Sequence, residues 1–121
     1  MKKILVIEDN QDNADLIEAF LEDNYELSFA MDGKNGLKSA IENTPDLILL
    51  DISLPEMDGL EVVKEIRKNT KISKTLVVAL TAHAMLGDRN MFLKEGFDAY
   101  LSKPIYDEDD LIQLIESLLK R

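Results

Sequence analysis

The chain predicts an α/β fold, a parallel sheet with helices on both faces, and three observations carry that expectation. Lys3-Ile4-Leu5-Val6-Ile7, Asp46-Leu47-Ile48-Leu49-Leu50 and Thr75-Leu76-Val77-Val78-Ala79-Leu80 are near-continuous branched runs, the pattern of strands buried on two sides. Segments of helical periodicity separate them, giving strand-helix five times over, an alternation that calls for right-handed crossovers. The 121 residues, 45% of them hydrophobic, can fill a core and leave no room for a second folded domain, so a single domain spanning 1–121 is expected.

Taken in order, the first strand is Lys3 to Ile7. In the helix that follows, Ala14, Leu16, Ile17, Phe20 and Leu21 fall on one arc while Asp15, Glu18 and Glu22 fall opposite. Tyr25 to Met31 supplies the second strand, the two further apolar runs the third and fourth, and Phe97 to Leu101 the fifth. Met85, Leu86 and Leu93 lie in the fourth helical segment, where apolar residues are first of all core candidates and any that prove exposed mark an output surface. In the last helix Leu111, Ile112, Leu114, Ile115, Leu118 and Leu119 form a stripe, with Gln113, Glu116, Ser117 and Lys120 facing away. Its acidic first turn, Asp107 to Asp110, and its basic end, Lys120-Arg121, suit the two ends of the helix dipole. Gly33, Gly59 and Gly96, with Pro45 and Pro55, punctuate the joins.

Composition narrows the function. The chain has 24 Asp+Glu against 14 Lys+Arg and a net charge of -10, a surface that repels nucleic-acid phosphates and anionic membranes, so neither is an expected partner. No cysteine is present, which excludes disulfides, thiolate chemistry and cysteine-ligated zinc or iron-sulfur sites, and His83 alone builds no histidine cluster. The run Ile4 to Ile7 is too short for a signal peptide or a membrane span, and a soluble, cytoplasmic protein is expected. Neither GxxxxGK[ST] nor GxGxxG occurs, so nucleotide binding has no motif support.

In open sheets of this class ligands collect at the carboxyl ends of the strands. The residues that end the apolar runs are Glu8 and Asp9, Asp51, Thr81, and Ser102-Lys103. Brought to one rim, the three carboxylates would repel one another, and a hard divalent cation would relieve them. Magnesium suits such a rim because it takes one or two carboxylates, keeps waters, and leaves positions for phosphate oxygens. A carboxylate beside that ion, an ammonium and a hydroxyl is what phosphoryl transfer requires, and Asp is a known aspartyl-phosphate nucleophile.

These residues fall in four motifs: Ile4-Leu5-Val6-Ile7-Glu8-Asp9-Asn10, Asp46 through Asp51 to Gly59, Leu80-Thr81-Ala82-His83-Ala84, and Tyr100-Leu101-Ser102-Lys103-Pro104. In this order they resemble the receiver domain of two-component response regulators, over nearly the whole chain. The resemblance implies a flavodoxin-like sheet of strand order 2-1-3-4-5, with Asp51 as phosphoacceptor. It implies Asp9, Asp51 and the backbone carbonyl of Ser53 as magnesium ligands, with manganese a plausible substitute and Glu8 acting through a water. By the same likeness Lys103 contacts the phosphoryl group ahead of a cis bond to Pro104, and Thr81 and Tyr100 form a coupled switch. Ser53 and His83 flank the path of attacking water and tune the phosphoryl lifetime. His83 reads otherwise as an exposed rim side chain or a contact for a kinase or phosphatase.

The implied partners are a sensor histidine kinase or histidine phosphotransfer protein and a downstream protein target. The implied state is a monomer, with phosphorylation-dependent dimerisation through the fourth and fifth helices an option. The chain is expected to be a free single-domain regulator or phosphorelay shuttle, a receiver cut from a hybrid kinase or longer regulator being the alternative. Two other classes compete. A constitutive binding module with a vestigial rim has Asp9, Asp51, Thr81 and Lys103 against it. A hydrolase of the haloacid-dehalogenase kind would carry a second acid two residues after its nucleophile, where this chain has Ser53.

Overall fold

The computed structural model describes residues 1–82, 88–105 and 107–120. Five strands and five helices alternate: β1 (Lys3–Ile7), α1 (Gln11–Leu21), β2 (Glu26–Ala30), α2 (Gly33–Asn43), β3 (Leu47–Asp51), α3 (Gly59–Lys68), β4 (Leu76–Thr81), α4 (Asp88–Glu95), β5 (Ala99–Ser102) and α5 (Glu108–Leu119). All pairings are parallel and the strand order is β2-β1-β3-β4-β5, the flavodoxin-like arrangement.

The continuous apolar runs have a simple cause. Successive strand residues point to opposite faces, and both faces are covered. Leu5, Ile7, Ile48, Leu50, Val77 and Ala79 join one core with Val62, Val63 and Ile66 of α3 and Phe92 of α4. Their neighbours Ile4, Val6, Leu47, Leu49, Val78 and Leu80 join a second core with Ile17 and Leu21 of α1 and Leu111, Ile115 and Leu118 of α5. β3 is central and buried at every position. Each fully buried Leu or Ile contributes about 1.5–3 kcal/mol of transfer free energy. The stripe predicted for α1 narrows to Ala14, Ile17 and Leu21, with Leu16 and Phe20 half-buried.

Helix starts are set by short polar side chains. Asn10, Asp32 and Asp58 each accept a hydrogen bond from the backbone N–H three residues on, at 3.0, 2.7 and 3.0 Å, and Asp107 accepts from Asp109 N at 2.8 Å. Such a cap contributes about 1 kcal/mol. Gly96, at φ 115°, stops α4: its left-handed backbone lets Phe97 N reach back to Phe92 O at 3.0 Å. Met85 and Leu86 lie outside the described residues. Leu93, a core candidate by sequence, is 40% exposed, while its neighbour Phe92 takes the core position. No helix among the described residues is long and apolar enough to cross a membrane.

Candidate functional site

Each strand hands its last side chains to the carboxyl rim. The β1 ladder runs one residue past Ile7, with Glu8 N donating to Ala30 O at 3.0 Å, so Glu8 is fixed as part of the sheet and is 1% exposed. Asp9 follows, exposed, held between that ladder and the Asn10 cap. Asp51 closes β3 in register with Leu80 and is 2% exposed; Thr81 closes β4 in register with Ser102 and is 5% exposed. Lys103 N donates to Thr81 O at 2.7 Å, tying the end of β5 to that of β4 ahead of the cis Lys103–Pro104 bond.

The side chains converge. Lys103 Nζ lies 3.0 Å from Glu8 Oε1 and 3.2 Å from Asp51 Oδ2, with its side chain 15% exposed. Ser53 N donates to the other Asp51 oxygen, Oδ1, at 3.0 Å. Glu8, Asp9 and Asp51 each offer a carboxylate oxygen within 4.8 Å of the others. One ammonium thus meets two of three clustered carboxylates. The imbalance has a visible mark, because Glu8 Oε2 is buried and has no hydrogen-bond partner among the described residues. A buried lone acceptor of this kind costs about 1–3 kcal/mol unless something satisfies it.

Protonation reflects the same crowding. Burial pushes the Glu8 carboxyl up to about 7, and the adjacent Asp51 pushes the same way, against a partial pull down from Lys103. For Asp51 burial acts upward, but hydrogen bonds from Glu8, from Ser53 N and from Lys103 outweigh it and hold the carboxyl below the ordinary range. Burial acts downward on Lys103, yet the two carboxylates keep its pKa above the usual lysine value. The crowding thus acts in opposite directions on the two carboxyls, upward on Glu8 and downward on Asp51. A hard cation fits this donor set, since three close carboxylates and an orphaned oxygen are what it would satisfy and what a proton satisfies in its place.

Of the sequence-predicted residues, Glu8, Asp9, Asp51, Ser53 and Lys103 come together, and Thr81 ends the strand beside Asp51. Tyr100 sits back from the cluster, half-buried, its ring 5.7 Å from that of Phe92 and tilted by 40°. His83 lies outside the described residues. Sequence reasoning treated Gly59 as punctuation, but it is part of the site's wall: a Cβ there would stand 2.6 Å from the main-chain oxygen of Asp51. A glycine opening a helix behind an acidic strand end is a weak signal, because the close approach is created by tertiary packing. Arg67, which braces the far end of the sheet, gave no signal at all.

A doubly wound sheet with an acid cluster and an ammonium at the carboxyl ends of its strands is suited to hold a cation beside an anionic group. The family profile for the response regulator receiver domain matches residues 4–116, and the chain belongs to that family. Receiver domains are signalling proteins of two-component systems rather than enzymes in the usual sense. The response regulator ArlR of Staphylococcus saprophyticus is 42% identical over 122 residues, covering 100% of this chain and 54% of that protein, so this chain spans about half of it. The polar-differentiation response regulator DivK of Brucella anthropi is 41% identical over 105 residues, 86% of this chain and 85% of that one. The receiver domain of the sensor histidine kinase PA1611 of Pseudomonas aeruginosa, solved with a magnesium ion coordinated in its active-site cleft, superposes with a TM-score of 0.90 at 34% identity, covering 99% of this chain and 98% of that one.

Proposed function

We propose that residues 1–121 form one receiver domain that takes a phosphoryl group from a phosphohistidine onto Asp51 and thereby changes its affinity for a protein target. The observation that carries this reading is the setting of Asp51: buried, with Oδ1 held by Ser53 N–H and Oδ2 by Lys103, contacts that hold its carboxyl below the ordinary range. Such a carboxylate is a fixed nucleophile. One of its oxygens attacks phosphorus, the P–N bond to the donor imidazole breaks, and the imidazole nitrogen keeps the electron pair. Lys103, a point charge already at the rim, is placed to meet the phosphoryl oxygens.

Asp9, Asp51 and the Ser53 carbonyl would hold magnesium, with Glu8 acting through a water and manganese a substitute. When bound, the ion supplies neutralisation of charge on the transferring group. Phosphorylation then puts more negative charge and more acceptor oxygens beside Thr81 and Lys103 and rewards their approach. Thr81 ends the same strand that pairs with the strand of Tyr100, and Tyr100 packs on Phe92 of α4, so a shift at the rim reaches the α4–β5–α5 surface where Met91 and Leu93 are 39% and 40% exposed. Ser53 and His83 would tune the phosphoryl lifetime. The donor is a sensor kinase or histidine phosphotransfer protein, and the domain acts in the cytoplasm as a monomer that phosphorylation can pair.

Intact-mass spectrometry with magnesium and a small phosphodonor tests this. A gain of one phosphate that needs the metal and is lost in Asp51→Ala is expected. No gain, or a gain unchanged in Asp51→Ala, defeats the reading.

A further inference from the structure

A second surface adjoins the acid cluster through Glu8 and faces away from the α4–β5–α5 side. β2 is an edge strand, hydrogen-bonded to β1 alone. Its inward groups are those of even-numbered residues: Glu26 N donates to Lys2 O at 2.9 Å, and Ala30 O accepts from Glu8 N at 3.0 Å. By the alternation of a parallel ladder, the main-chain groups of Leu27 and Phe29 point outward along the open edge. Phe29 and Met31 are also two of the few large apolar side chains on the described surface, 39% and 48% exposed. They border a small cavity of about 60 Å³ whose other walls are Glu8 of the rim and Gln11, Ala14, Asp15 and Glu18 of α1.

We propose that this edge is a docking site for an extended basic-apolar peptide segment of a partner protein, one that adds a strand to β2. Three features select that occupant. The free edge offers main-chain donors and acceptors in strand register, which suits an extended chain. The cavity takes one small aliphatic side chain against Phe29 and Met31. Asp15 and Glu18, on a chain of net charge -10, favour Lys or Arg on either side of that aliphatic residue and disfavour acidic segments. Natural edges are usually blunted by lysine, proline or a covering loop; this one carries two bared apolar side chains instead. The proposal does not depend on phosphorylation of Asp51.

The test is an amide NMR titration of the full chain with the peptide Lys-Leu-Lys-Leu-Lys, blocked at both ends. Saturable shifts are expected at residues 14–18 and 26–31, weakening at least fivefold in Phe29→Ser/Met31→Ser, in Asp15→Asn/Glu18→Gln, and with the peptide N-methylated at alternate residues. Because all four substituted side chains are at the surface the variants should fold, and either double variant suffices if the other does not. The proposal is overturned by the absence of saturable shifts at millimolar peptide, by shifts centred on Asp9 and Asp51, by equal binding of Glu-Leu-Glu-Leu-Glu, or by variants and N-methylated peptide that bind as the parents do.

Discussion

Two cations stand at opposite ends of β4 and β5, each wrapped in oxygen, and they are finished to different degrees. At the amino end Arg67 uses all five of its N–H donors: two to Gly96 O at 2.9 and 2.7 Å, one each to Ser73 O and Thr75 O at 2.9 and 2.6 Å, and one to Asp98 Oδ2 at 3.0 Å. Asp98 in turn accepts from Val77 N at 2.8 Å. At the carboxyl end Lys103 meets Glu8 and Asp51, yet Glu8 Oε2 is left without a partner among the described residues and burial holds the Glu8 carboxyl up at about 7. The first node closes its own hydrogen-bond account and holds α3, α4 and two strands together. The second is complete only with something added, and that incompleteness is what separates a place for chemistry from a brace.

The largest effect that tests this contrast is Asp51→Asn. It should abolish phosphate gain by mass spectrometry while leaving stability in metal-free buffer at or above that of the parent, because it removes a carboxylate from a crowded cluster. A marked loss of stability would mean that Asp51 is structural and would break the comparison. Next comes Arg67→Ala, which strands Asp98 and three carbonyls and should cost about 3 kcal/mol in urea unfolding. The folded fraction of that variant should still take phosphate at Asp51.

Smaller still, Glu8→Gln should stabilise the metal-free protein at pH 8 by about 1 kcal/mol, since an amide needs no proton to sit beside Asp51. The same variant should gain less stability from added magnesium, as read by thermal melts with and without the ion. The last test is a slope. Glu8 titrates at about 7 folded and near 4.5 unfolded, so between those values the folded state holds a proton the unfolded chain has released. Its contribution is full below about 4.5 and is lost as pH rises through about 7. Asp51 has the opposite sign: its contribution is present above the ordinary carboxylate pKa and is lost as pH falls through its lowered value. Parent minus Glu8→Gln, measured by urea unfolding across that window, isolates the first slope, which should be absent in saturating magnesium.

Most of the carboxyl-end node was legible in the chain, and almost none of the amino-end one. Strand ends carry the rim residues in sequence order, so Glu8, Asp51, Thr81 and Lys103 could be gathered by reading where each apolar run stops. That reading ends β3, β4 and β5 one residue early. Asp46 and Thr75 fall outside β3 and β4, while Asp51, Thr81 and Ser102 fall inside, because a hydrogen-bond ladder runs on through a polar residue where an apolar pattern ends. The fifth strand starts at Ala99 rather than Phe97, since Phe97 and Asp98 serve the α4 stop and the Arg67 node. Arg67 was invisible for a physical reason. Its partners are mostly main-chain carbonyls, which any residue can supply, and so nothing in the sequence at positions 73, 75 or 96 announces them. Gly59 is a similar case, its need arising only when α3 settles over the end of β3.

One contact sets when the protein can first become competent. Lys103 and Glu8 are 95 positions apart, so the ammonium reaches the acids only after the fifth strand has docked. A chain still emerging from the ribosome, or trimmed before its last strand, would hold its acids without their counter-charge. The complete charge arrangement would then wait for the fifth strand, and a copy lacking it could not pass for a working one.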